Sequence, residues 1–280
     1  MSIQMNTATT SMRELQKKID VIANNISNIN TLGYKRSEAN FSDALVQSIE
    51  RQAGTANEIG RITPNGLRVG SGAIMAQTSI NTDQGSSMQT DRELDFMIQG
   101  ESGFFRVASQ GNVFYTKDGS FQAQPVLNSN QMNLVTSTGE NVLDINNQPI
   151  SFDADYKALT MSADGTLAVT YKDTAKEPEF FQLSIANITR PNLLEKSGFN
   201  KFTLEGAEAD HIANGTLQVV NLAQQNNGAI KISQGALERS NVDMTVEMSD
   251  LLSTQRLLQS QSRAISFADD MMGLVNTIKS

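Results

Sequence analysis

His211 is the only histidine of the chain, and there is no cysteine. Proton transfer near neutral pH most often runs through histidine. Without cysteine, a thiol nucleophile, a thiolate metal site and a disulfide are all excluded. His211 stands in the polar run Ala209-Asp210-His211-Ile212, which reads as a surface position. A Ser–His–Asp triad stays open by arithmetic, yet no G-x-S-x-G elbow occurs to present its serine. Asp153-Ala154-Asp155 spaces two carboxylates as a calcium loop does, but the glycine and the distal glutamate of that loop are missing. It reads as a solvated turn. Val69-Gly70-Ser71-Gly72 is glycine-rich without the rest of a phosphate-binding fingerprint and reads as a connector. The triplets Asn187-Ile188-Thr189 and Asn214-Gly215-Thr216 match the glycosylation pattern, which is too short to carry weight. The expectation is a protein that is not an enzyme, with no catalytic residue, no cofactor and no metal.

Any site must then be made by whole elements. Met5, Ala8, Met12, Leu15, Ile19, Ile22, Ile26 and Ile29 follow one another at alternating steps of three and four. That is the a/d seam of a coiled-coil helix over more than three heptads. Glu14 precedes Lys18 by four residues, the favourable order for an exposed ion pair. The stop is an Asn-rich stretch (Asn24, Asn25, Asn28, Asn30) followed by Gly33 as the C′ residue. Near the other end, Leu251, Leu258, Ile265 and Met272 recur every seven residues. Leu257, Ala264, Met271 and Ile278 form a second row beside them. Polar Gln255 and Ser262 loosen this seam, and Ser240, Asn241 and Asp243 offer N-cap side chains before it.

Between the ends the period drops to two. Gly103–Val107 and Val113–Thr116 flank Gln110-Gly111-Asn112, and Ala158–Ser162 and Leu167–Tyr171 flank Asp164-Gly165. Both read as hairpins. Phe180–Ile185 and Thr216–Val220 are further strands. Phe41–Arg51 is read as a short helix or strand, and Gly54–Gly72 as an extended connector. The fold class is α+β: N- and C-terminal helices forming a coiled-coil-like pair, with a central, mostly antiparallel β domain inserted between them.

The whole-chain balance narrows the partners. With 280 residues and a net charge of −8, the chain lacks the basic face that nucleic acid requires. No run of about 18 apolar residues crosses a bilayer. The first residues have neither the basic region nor the apolar core of a secretory signal. Hydrophobic residues make up 39% and aromatics 6%, low for a tightly packed enzyme of this size. That leaves room for apolar surface reserved for partners. One seam cannot offset the backbone entropy of ordering the N-terminal helix alone, so that helix needs a partner. Periodicity leaves two arrangements open: a coiled coil within a monomer, or helices shared with sister molecules in an open helical filament.

Three blocks of residues bear on that choice. Ala23-Asn24-Asn25-Ile26-Ser27-Asn28-Ile29-Asn30-Thr31-Leu32-Gly33-Tyr34-Lys35-Arg36 closely resembles the N-terminal signature of flagellar rod and hook proteins, A-N-N-hydrophobic-A/S-N-x-x-T-x-G-F/Y-K. Leu94–Gly100, Gly103–Val107 and Tyr115–Phe121 resemble that family's L-D-x-x-I-x-G…G-F-F-x-V…Y-T-R-D-G-S-F block. Gln234–Asp243 resembles its G-x-L-E-x-S-N-V-D entry to the terminal helix. The blocks cover both ends and the middle. Departures occur at Ser102, which is one extra residue, at Gln122–Met132, and at Arg256-Leu257-Leu258-Gln259 in place of R-A-Y-E. Ile62–Gly72 resembles the connector of the distal rod proteins, which are therefore the best match. A hook or proximal-rod paralogue is the alternative within the family, and a secreted hydrolase or adhesin with a helical stalk is the alternative outside it.

The resemblance implies a structural subunit that polymerises into a helical tube and transmits torque for swimming. Residues 1–33 and 229–280 would form the core tube, 34–74 a connector and 75–228 an outer β domain. Its partners would be copies of itself, other rod and hook proteins and the flagellar type III export apparatus, with no nucleic acid and no membrane insertion. Its place would be the flagellar basal body, reached without a cleavable signal. The implied assembly residues are Leu15, Ile19, Ile22, Ile26, Ile29, Leu251, Leu258, Ile265 and Met272 in the seams. Asn24, Asn25, Asn28 and Asn30 would satisfy polar groups near the helix end, and Gly33 would turn the chain outward.

Overall fold

A computed structural model of the chain describes residues 2–43, 46–49, 67–70, 73–127, 129–162, 164–173, 175–198, 200–222 and 230–279. The N-terminal helix, α1, runs Ser2–Ser27. It ends six residues before Gly33. Asn and Ser compete with the helical ladder for backbone groups, and a run of turns replaces a single C′ residue. Within that run the Thr31 amide donates to the Asn28 carbonyl at 3.1 Å, and Gly33 closes it at φ +65°, where a side chain would be strained. Glu14 pairs with Lys17 at 3.0 Å. A short helix, α2, spans Glu208–Ala213. The long C-terminal helix, α3, spans Met244–Lys279 and begins directly after Asp243. Residues 231–234 and 236–238, on the approach to it, are strands rather than helix.

The chain divides into two compact units, residues 1–26, 37–79 and 244–280 in one and residues 27–36 and 80–243 in the other. The first holds α1, α3 and paired strands between them. Ser37–Asp43 pairs with Ala73–Ile80, and Val46–Ile49 pairs antiparallel with Leu67–Gly70. The Phe41–Arg51 stretch thus contains strand where it is described. The expected connector between Gly54 and Leu67 lies outside the described residues.

The second unit is β. Its largest sheet has ten strands among the described residues. The backbone path runs Ser151–Asp153, Gln131–Val135, Asn141–Val142, Gly103–Ser109, Asn112–Thr116, Lys201–Leu204 and Leu194–Lys196. The central strand, Gly103–Ser109, is buried on both faces, which is why Gly-Phe-Phe-Arg-Val does not alternate. Phe105 and Val107 enter a core with Phe96, Phe121, Leu134 and Ile185. Phe104 points the other way, into a core with Tyr115, Phe202 and Leu217. Aromatic edges set the spacing: Phe105 meets Phe121 at 5.0 Å, and Phe104 meets Phe202 at 5.7 Å. Gln110 and Gly111 turn the hairpin at φ 51° and 85°, the left-handed pair that suits strand twist. Tyr156–Met161, Thr166–Tyr171 and Glu179–Gln182 make a separate antiparallel meander. Lys231–Gln234 pairs with Phe96–Gln99, and Ala236–Glu238 with Ser87–Gln89, so this unit reaches past residue 228.

Candidate assembly site

On α1 the alternating apolar seam places Ile22 in the interior of its unit. Leu15, Ile19, Ile26 and, just past the helix, Ile29 are half-buried. Asn25 is fully buried and bonded at both ends of its amide. Its oxygen accepts from the Ser37 amide at 3.0 Å. Its nitrogen donates to the Ser37 carbonyl at 2.9 Å and to Glu247 Oε2 at 3.3 Å. Asn25 therefore fastens the end of α1 to residue 37 and to the first turn of α3. Asn24 is exposed and Asn28 half-buried, and the Asn28 oxygen accepts from the Thr31 hydroxyl at 3.1 Å.

The two apolar rows of α3 differ in exposure. Leu251, Leu258 and Ile265 are half-buried, on one face with buried Glu247 and Thr254. Met272 continues that row but is 41% exposed. In the second row Leu257 is 54% exposed and Met271 48%, and Ala264 is exposed as well. Phe267 at 68% and Leu274 at 65% extend this row at steps of three and four. An apolar heptad strip that faces water is a surface awaiting a partner. The side chain of Ile278 lies outside the described residues.

Gly33 lies in the second unit, where the segments leaving α1 and entering α3 meet. The Gly33 amide donates to the Glu238 carbonyl at 2.9 Å, and a β-carbon at Gly33 would stand 2.4 Å from the Asp118 backbone nitrogen. Lys35, 1% exposed, reaches Glu238 Oε1 at 2.7 Å and the carbonyls of Asp83 at 2.7 Å and Thr82 at 3.1 Å. The Gly85 amide donates to the same carboxylate oxygen at 2.9 Å. Lys117, also buried, lies 3.7 Å from Glu238 Oε2 and donates to the Gly100 carbonyl at 2.6 Å. Burial pulls its pKa down to about 8; neighbouring Glu238 opposes that shift and Lys35 adds to it. The Arg36 amide donates to Asn241 Oδ1 at 2.8 Å, and the Asn241 amide donates to the carbonyls of Asn81 and Asp83.

Lys35, Lys117 and Glu238 each fall within one of the three sequence blocks, yet nothing in their spacing marked them as partners. Lys35 and Glu238 are 203 positions apart, and no local period reports contact over that distance. Asn241, read as a helix cap, is used to hold Arg36.

Beside this junction lies a cleft of about 400 Å³, lined in part by Thr31, Thr116, Asp118, Thr138, Glu140 and Lys201. Burial alone would raise the Glu140 carboxyl, but hydrogen bonds from Lys201, Thr136 and Thr138 hold it at about 2. Burial raises Asp118 above the ordinary range, against hydrogen bonds from Ser120 that lower it. His211 Nε2 lies 3.0 Å from the Glu205 carbonyl, and the Asp153 carboxylate pairs with Lys176. Among the described residues, no group of three or more acidic or histidine side chains could hold a metal ion. No described helix is long and apolar enough to cross a membrane.

Three family models match the chain. Residues 5–35 match the flagella basal body rod protein model. Residues 97–169 match the flagellar hook protein FlgE/F/G D1 domain, and residues 233–278 match the flagellar basal body rod FlgEFG protein C-terminal model. Over its full length the chain is similar to a flagellar hook-basal body complex protein, FlhP, of Bacillus subtilis, at 36% identity over 98% of both chains. It is also similar to the flagellar basal-body rod protein FlgG of Agrobacterium fabrum, at 35% over 96% of both, and to that of Borreliella burgdorferi, at 34% over 98% of this chain and 97% of the relative.

Proposed function

Because the chain belongs to the flagellar basal-body rod and hook protein family, a family of structural proteins, we propose that it is a structural subunit of the flagellar rod, of the distal kind. In this reading it polymerises into a helical tube. The seams of α1 and α3 pair as a coiled coil and build the tube, and the β unit, residues 80–243, forms the outer domain. Neighbouring copies and other rod and hook proteins cover the remaining apolar surface. The type III export apparatus delivers the chain without a cleaved signal, and the finished rod transmits torque.

The observation that carries the reading is the outward apolar strip of α3, with Leu257, Phe267, Met271 and Leu274 in water. Burying four such side chains is worth roughly 1.5–3 kcal/mol each, enough to drive a repeated contact between copies. The test is Phe267→Asp. The purified variant is expected to melt as the unmodified chain does but to form no polymer by sedimentation and electron microscopy, and cells carrying it are expected not to swim. Normal polymers and normal swimming would remove α3 from the assembly surface.

A further inference from the structure

Gly33, Lys35 and Arg36, on the way out of α1, hold Glu238 and Asn241, on the way into α3. Three links join them: the Gly33 amide to the Glu238 carbonyl at 2.9 Å, Lys35 Nζ to Glu238 Oε1 at 2.7 Å, and the Arg36 amide to Asn241 Oδ1 at 2.8 Å. Gly33 meets residue 238 and Arg36 meets residue 241, so both segments advance by three and run in parallel register. Residues 37–237, which include most of the β unit, lie in the chain between them.

That register decides how the contact meets force. A pull through α1 acts on the N-terminal end of the first segment. A pull through α3 acts on the C-terminal end of the second. In a parallel pair these are opposite ends of the contact, so the links are sheared and share the load instead of opening one at a time. The side chains of Lys35 and Glu238 are each 1% exposed, so water does not compete for the ion pair, and a charge-assisted hydrogen bond is among the stronger ones available. Both segments are braced on residues 81–85. The Asn81 amide donates to the Arg36 carbonyl at 2.9 Å, the Gly85 amide donates to Glu238 at 2.9 Å, and Asn241 donates to the carbonyls of Asn81 and Asp83.

We infer that this clasp is a mechanical bypass: load entering through the two terminal helices crosses from residues 33–36 to 238–241 and leaves the chain between those two segments unloaded. The inference deepens the rod reading by naming the residues that bear force. It stands apart from polymerisation, because an isolated chain displays it. The experiment is single-molecule extension of the full chain held by its first and last residues. After the helices unravel, one abrupt release is expected, freeing the 203-residue separation, on the order of 700 Å of contour length. Glu238→Gln, which strips the anion from two buried lysines, is expected to open about a hundredfold faster at a given force. The triple variant Lys35→Met, Lys117→Met, Glu238→Leu removes all three charges. It is expected to keep the thermal transition of the β unit, since apolar replacement of a buried charge cluster is often neutral, and still to open at least tenfold faster than the unmodified chain. If Glu238→Gln does not fold, the triple variant decides. Release in many short steps from the ends overturns the inference, as does a folded triple variant opening within threefold of the unmodified chain. Loss of polymerisation with the clasp intact would count against the rod reading alone.

Discussion

Lys117 keeps an ammonium where burial opposes it. Its pKa in the folded chain is pulled down to about 8, against about 10.5 when unfolded. Folding therefore penalises the protonated form. Below pH 8 both states hold the proton and the penalty is present in full. Above about 10.5 neither holds it and the penalty is gone. The stability of the β unit is expected to rise as pH climbs from about 8 to about 10.5, by on the order of 3 kcal/mol from this group. Other groups titrate in the same window, so the measurement is a comparison: denaturant melts of the unmodified chain and of Lys117→Met across that range. The difference between the two curves should carry the rise. Parallel curves would show that Lys117 is not held as an unfavourable cation.

The elements differ in how openly the residues announce them. The hairpins around Gln110-Gly111 and Asp164-Gly165 were legible because a turn pair separates two short strands, and the backbone takes left-handed angles at both glycines. The seam of α1 was legible because Ile19, Ile22 and Ile26 repeat at helical steps. Strands Lys231–Gln234 and Ala236–Glu238 were not, since four and three residues are too few to show a period beside a 36-residue helix. Helix α2, six residues long, was hidden for the same reason. The outer row of α3 was visible as a spacing, but only the exposure of Phe267 and Leu274 showed which row faces water. The clasp was invisible because its partners are far apart in the chain. The α1 seam carries a prediction of its own. Ile22→Asp sets a charge at a buried position and is expected to cost roughly 3 kcal/mol or more in the unit that contains α1. Calorimetry should show that unit melting lower while the transition of residues 80–243 stays in place. A common shift of both transitions would mean that the two units melt as one.

At the scale of the whole molecule, the β unit draws on both ends of the chain. Ile230 and Ile232 belong to its core, and Glu238 is the buried anion beside Lys35 and Lys117. A chain ended after Asp243 is expected to keep a cooperative β transition by circular dichroism. A chain ended after residue 225 is expected to lose it, since removing the anion alone costs roughly 3–5 kcal/mol. An equally sharp transition in the shorter chain would move those strands out of the folding unit. The outward strip of α3 has a different consequence, for temperature and salt. Covering apolar surface is driven near 25 °C by the entropy of the water it releases, and the drive weakens on cooling. The net charge of −8 sets copies against one another over a Debye length of about 10 Å at 0.1 M salt. Light scattering is therefore expected to grow on warming and with added sulfate, and to fade when the same solution is chilled and desalted.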